Sequence, residues 1–153
     1  MPSFDVLSNV KVVASHGAEA LSADQNGDTV DGQGFESVLH IVEIGAGGIT
    51  FTTSNKVALE LEESDDDSAW TDVTSANDVN VNTNSSVGVV TAPDSSGMFA
   101  EITSAAMDDM SYAIGYRGAK RYSRVVLNFS GTHGTATPIS ASAILSRAAH
   151  RPV

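Results

Sequence analysis

Four of the eight basic residues of this chain fall within eight positions, as Arg117, Lys120, Arg121 and Arg124. Tyr112, Tyr116 and Tyr122 are interleaved with them. Arginine offers a forked donor and tyrosine a flat stacking surface, so this segment could grip an acidic protein surface or a nucleic acid. The competing reading is internal pairing with carboxylates on adjacent strands. In so acidic a chain that reading is preferred. Interface use remains the alternative and makes Tyr116, Arg117, Lys120, Arg121, Tyr122 and Arg124 the candidate contact residues. Phe4, Val6 and Leu7 join them as the apolar residues of an N-terminal arm, residues 1–8, that could dock on its own core or on a neighbour.

Other chemistry-bearing groups make weaker patterns. Asp24, Asn26 and Asp28 have the alternating oxygen spacing of an EF-hand loop. The glycine, however, falls at the fourth position, and Phe35 stands where the bidentate glutamate belongs, so a solvated turn is expected. The acidic run Asp65, Asp66, Asp67 reads as a self-repelling loop in preference to a cation site. Gly45, Gly47 and Gly48 lack the lysine of a phosphate loop and the spacing of a dinucleotide fingerprint. His16, His40, His133 and His150 are far apart and show no metal-ligand spacing. No Gly-x-Ser-x-Gly elbow accompanies the many serines, and paired carboxylates lack the aromatics of a sugar cleft. No catalytic residue, cofactor or metal is therefore expected, and the chain does not read as an enzyme.

The elements that would position these groups are strands. Residues 35–44 form the longest apolar-rich strand candidate, bounded by Asp31-Gly32 and by the glycines from 45 to 48; it reads as a central strand buried on much of both faces. Residues 57–62 alternate with period two, with Val57, Leu59 and Leu61 on one face and Ala58, Glu60 and Glu62 on the other. The acidic loop follows, with the lone Trp70 expected to return to the core. Residues 10–14, 49–53, 79–81, 87–90 and 98–102 are shorter strand candidates, and residues 104–110 are long enough for one helical turn. Residues 111–116 and 121–129 read as a hairpin through Gly118. Residues 137–145 make a late strand with Pro138 at its start or on an edge. Asn26-Gly27 and Asp31-Gly32 are turn dipeptides. The expected fold is all-β, an antiparallel β-sandwich or jelly-roll-like barrel. One domain is expected over residues 9–146, with a tail at 147–153.

Composition agrees. A chain of 153 residues can build a core without staples, and it has no cysteine, which excludes disulfides and zinc–thiolate sites. A formal charge of −11 would repel phosphate, so direct nucleic-acid binding is not expected. Solubility is the plain reading of that charge, and attraction to a basic partner is the functional one. The first residues lack the basic and apolar regions of a signal peptide. No apolar run approaches the roughly 20 residues needed to span a bilayer. Synthesis in the cytoplasm and no membrane partner are expected.

The chain resembles small proteins encoded in the structural modules of tailed bacteriophages and prophages. The resemblance is carried by Asp31-Gly32-Gln33-Gly34-Phe35-Glu36-Ser37-Val38, by Leu59-Glu60-Leu61-Glu62-Glu63-Ser64-Asp65-Asp66, by Trp70-Thr71-Asp72-Val73, and by Gly115-Tyr116-Arg117 through Arg121-Tyr122-Ser123-Arg124-Val125. It covers roughly residues 30–130 and contains no catalytic motif. It implies a virion component, similar to capsid decoration (cement) proteins that sit on the outer surface of the head, commonly as homotrimers. The implied partners are the major capsid protein and further copies of the chain. A head–tail joining or tail structural protein is the first alternative. A carbohydrate-binding β-sandwich module, which would need an exposed aromatic platform, is the second.

Overall fold

The computed structural model describes residues 9–81 and 88–148. Eleven strands run through them: β1 (Val10–Leu21), β2 (Gln25–Asn26), β3 (Val30–Asp31), β4 (Phe35–Ile44), β5 (Lys56–Ser64), β6 (Thr71–Asp72), β7 (Val79–Val81), β8 (Met98–Ile102), β9 (Met110–Tyr116), β10 (Tyr122–Ser130) and β11 (Thr137–Ala148). Short 3-10 turns occupy Ala76–Asp78 and Ala105–Met107.

Two antiparallel sheets pack into a β-sandwich. The first has the order β1-β11-β4-β9-β7. In the second, β10 and β5 form the centre; β2 and β3 flank β10, and β6 and β8 flank β5. Every described pairing is antiparallel. The expected sandwich is therefore observed, and residues 35–44 are central in their sheet, between β11 and β9.

The core lies between the sheets and follows the period-two pattern of a strand. From β5 come Val57, Leu59 and Leu61; from β4 come Val38, Val42 and Ile44; from β9 come Tyr112 and Ile114; and from β11 come Ile139, Ala143 and Leu145. The alternation of β4 is hidden in its sequence because inward-facing His40 is polar while outward-facing Leu39 and Ile41 are apolar.

Four local expectations are corrected. The hairpin through Gly118 does not form: β9 belongs to the first sheet and β10 to the second, so residues 117–121 cross between layers. The crossing is pinned at both ends, by Arg117 N–H donating to Asp78 C=O (2.8 Å) and by Gly32 N–H donating to Arg121 C=O (2.9 Å). Residues 49–53 are not a strand; they bend and drop Phe51 into the core. Asn26-Gly27 is not a turn. Asn26 closes β2 against Val126, and Gly27 N–H donates to Val125 C=O at 2.8 Å. Trp70 does not return to the core but lies half-buried on the second sheet's outer side, beneath Arg124. The strand expected at 87–90 falls partly outside the described residues; Gly88 to Val90 are irregular. The first strand, expected at 10–14, continues to Leu21 through two register shifts.

Candidate functional site

The basic segment forms one end of the sandwich, where the crossing chain lies beside the β3–β4 turn. That turn is built by Asp31, whose carboxylate accepts from Gln33 N–H (2.9 Å), and by Phe35 N–H donating to Gly32 C=O (3.0 Å). Gly34 closes it with φ +85°, a conformation that suits glycine.

Most of the segment's polar groups point back into the protein. Arg121 forks onto Asp31, with Nε to Oδ1 at 2.9 Å and Nη2 to Oδ2 at 2.6 Å. This paired geometry holds the Asp31 carboxyl down at about 2. The same guanidinium sits 4.8 Å from the Tyr122 ring centre. Arg124 Nε donates to Glu62 Oε2 at 2.7 Å across the β10–β5 ladder, where the two residues are directly paired. Its guanidinium also covers the Trp70 ring at 4.2 Å.

A third cluster ties the two sheets together. Tyr116, buried at the end of β9, donates its hydroxyl to Glu63 Oε2 on β5 at 2.6 Å. Lys120 Nζ reaches the other Glu63 oxygen at 3.3 Å and Thr71 Oγ1 at 2.5 Å. Burial, and then the bond to Glu63, push the Tyr116 phenol well above its ordinary range. Arg117 differs: its Nε donates to Asn77 C=O at 2.7 Å, and its side chain is exposed. Phe4, Val6 and Leu7 lie outside the described residues.

Between the β3–β4 turn and the crossing lies an open cleft of about 370 Å³. Gln33, Gly34, Phe35, Gly118 and Ala119 are among its lining residues. The stretches that carry the resemblance meet around this end. The β3–β4 turn supplies one wall and the crossing supplies the other; behind them β5 supplies the carboxylates that pair with Lys120 and Arg124, and Trp70 supplies the ring under Arg124.

The acidic loop is organised from within. Asp66 accepts from Ser64 Oγ (3.0 Å), Ser68 N–H (3.0 Å) and Ala69 N–H (2.8 Å), and Thr29 donates to Asp67 (2.6 Å). Asp24 accepts Phe129 N–H at 2.7 Å, which ties the supposed EF-hand loop to the end of β10. Among the described residues no three His, Cys, Asp or Glu side chains converge to hold a metal ion.

One polar pair went unread in the sequence. His40 Nε2 and Ser123 Oγ are 2.9 Å apart, a spacing suited to a nucleophile and its base. Both side chains are shut inside the core, and His40 Nδ1 has no hydrogen-bond partner. With no orienting acid and no route for substrate, this pair joins the sheets and cannot reach a substrate. The two residues lie 83 positions apart on strands of opposite sheets, and no local pattern links them.

No protein-family model matches this chain, and no curated protein sequence matches it. Among solved structures, the crystal structure of the SPBc2 prophage-derived protein YomS is similar, with a TM-score of 0.46 and 11% sequence identity. The similarity covers 91% of this chain and 94% of that one.

Proposed function

We propose that the chain is a structural protein of a tailed-phage particle and, within that class, a decoration (cement) protein that binds the outer surface of the head. The observation that carries this reading is convergence. Stretches far apart in sequence that resemble phage structural proteins, at 31–38, 59–66, 70–73 and 115–125, gather at one end of the sandwich. They make an ion-paired end with an open cleft, which suits a docking surface for another protein. The major capsid protein is the proposed partner. A cement protein needs only to hold several shell subunits at once: multivalent contact turns weak individual contacts into avidity. Preferential binding to the mature shell then stabilises it by mass action.

The test is cosedimentation of the purified protein with decoration-free, DNA-filled heads, followed by cryo-EM of the pellet. Saturable density at symmetry axes of the shell, contacted through the 32–35 turn, supports decoration. Density only at the tail vertex or along the tail replaces it with a joining or tail role. Absence from the particle overturns the virion reading.

A further inference from the structure

The two outer faces of the sandwich differ in kind. On the second sheet the outward rungs are charged. Glu62 stands between Arg124 and Asp72, Glu60 between Val126 and Met98, and Ala58 between Asn128 and Glu101. On the first sheet, one outward rung reads Val12, Ile144, Leu39, Gly115, Asn80 across all five strands. The next reads Ala14, Ser142, Ile41, Ala113, and the one on the other side reads Val10, Ser146, Ser37. These three rungs contain no ionisable side chain. Leu39, Ile41 and Ile144 are half-buried, and Val12 is 65% exposed. An antiparallel sheet that faces water ordinarily presents polar residues on that side, so an uncharged apolar face in a chain of charge −11 marks a contact surface.

Charge at the two ends of this face indicates the occupant. At one end Glu43 and Asp109 line a shallow depression with Ser111 and Ser140, and Glu19 adds a third carboxylate. At the other end stand Arg117, whose Nε donates to the Asn77 carbonyl, and the Arg147–Glu36 pair at 3.8 Å. We infer that the outer face of the first sheet binds a second copy of this chain, face to face and with strands reversed, about a two-fold axis. Reversal lays the Glu43–Asp109 end of each copy over the Arg117 end of the other, and the apolar rungs meet between them. A two-fold contact must be complementary to itself, and a face with carboxylates at one end, Arg117 at the other and no charge on the rungs between has that property. The charged faces of both second sheets are left in water. The arrangement is a dimer in place of the three-fold assembly that the resemblance implies, and it is independent of what the chain binds in a particle.

Sedimentation equilibrium of the full chain at neutral pH and low salt tests it. A mass of two chains is expected, with dissociation favoured as salt is raised. Ile41→Asp is expected to weaken association by roughly thirty-fold or more, with circular dichroism and thermal unfolding confirming the fold. Because that change lies in a core-bearing strand, a charge exchange at the exposed ends gives a second measure. Arg117→Glu alone should weaken the dimer, and adding Glu43→Arg to it should restore association. A monomer across the accessible concentrations overturns the proposal and leaves the face to residues 1–8 or to a shell protein. A trimer overturns the two-fold arrangement. A dimer indifferent to Ile41→Asp and to the exchange overturns the choice of face.

Discussion

His40 on β4 and Ser123 on β10 are hydrogen bonded at 2.9 Å through the middle of the sandwich, one residue from each sheet. Burial pulls the His40 imidazole down to about 4, because a charge there would lose its water and gain no counter-ion. In the unfolded chain the ring titrates near its ordinary 6.5. A lowered folded value means that the unfolded chain binds the proton first. The full stability is therefore present above about pH 6.5 and is lost as pH falls toward 4. The loss expected from this one group is about 3 kcal/mol. Urea unfolding at pH 7.5 and pH 4.5, for the native chain and His40→Leu, checks it. The native chain should lose more stability between the two pH values, by about that amount. Equal losses would show that His40 does not control this window.

Tyr116 and Glu63 form another bond between the sheets, and Lys120 reaches the second Glu63 oxygen. Removing the phenol oxygen leaves a largely buried carboxylate with one partner fewer. Tyr116→Phe is expected to cost about 1–2 kcal/mol in urea unfolding at neutral pH. In an alkaline absorbance titration of the native chain, one tyrosine should ionise late, beyond Tyr112, which is itself pushed up to about 12 by burial and then by the charge of Asp108. Tyr116→Phe should remove that latest step.

Arg124 covers Trp70, the chain's one tryptophan, so fluorescence reads this contact without interference. Arg124→Ala should uncover the indole, shift its emission to longer wavelength and increase quenching by iodide. The expected stability loss is about 1–2 kcal/mol, from the cation–ring contact and the Glu62 bond together. Arg124→Lys should recover part of the stability and little of the shielding, because an ammonium lacks the flat guanidinium. An unchanged spectrum in Arg124→Ala would refute the contact.

Gly27 lies between main-chain atoms of β10 and β1. A Cβ there would lie 2.8 Å from Val125 C=O and 3.1 Å from Ser15 C=O, both main-chain atoms. Neither can swing aside as a side chain would. Gly27→Ala should therefore destabilise by about 2 kcal/mol or more in chemical unfolding. Gly17→Ala, where open space surrounds the position, should change stability little.

The sheet order also predicts slow folding. Among the described strands, β5 with β6 is the sole pair adjacent in sequence; β1 joins β11, and β10 joins β2 and β3. Loop closure must precede almost every ladder, so refolding after a urea jump should take milliseconds to seconds. A microsecond phase carrying the full amplitude would contradict this topology.

The local signals of this fold are legible in the chain. Period-two alternation placed Val57, Leu59 and Leu61 inside and Glu60 and Glu62 outside, since a strand turns each successive side chain to the opposite face. The glycine- and aspartate-rich punctuation around residues 31–34 located the turn before β4. The many short strands gave the sandwich. The basic segment was also visible, and so was the reading that its charges would pair with carboxylates of neighbouring strands. Identifying those carboxylates needed the folded chain. Arg121 meets Asp31 from ninety positions away and Arg124 meets Glu62 from sixty-two, and nothing in either local segment encodes the distant one. The same limit explains the hairpin that does not form. Tyr116 and Tyr122 are separated by a hairpin-like spacing with a glycine inside it, yet the interior had places for Tyr116 in one layer and Ser123 in the other. Strand pairing is decided by which partners close both sheets over a common core. That energy is collective and non-local, and so only the tertiary structure could assign β9 and β10 to opposite sheets.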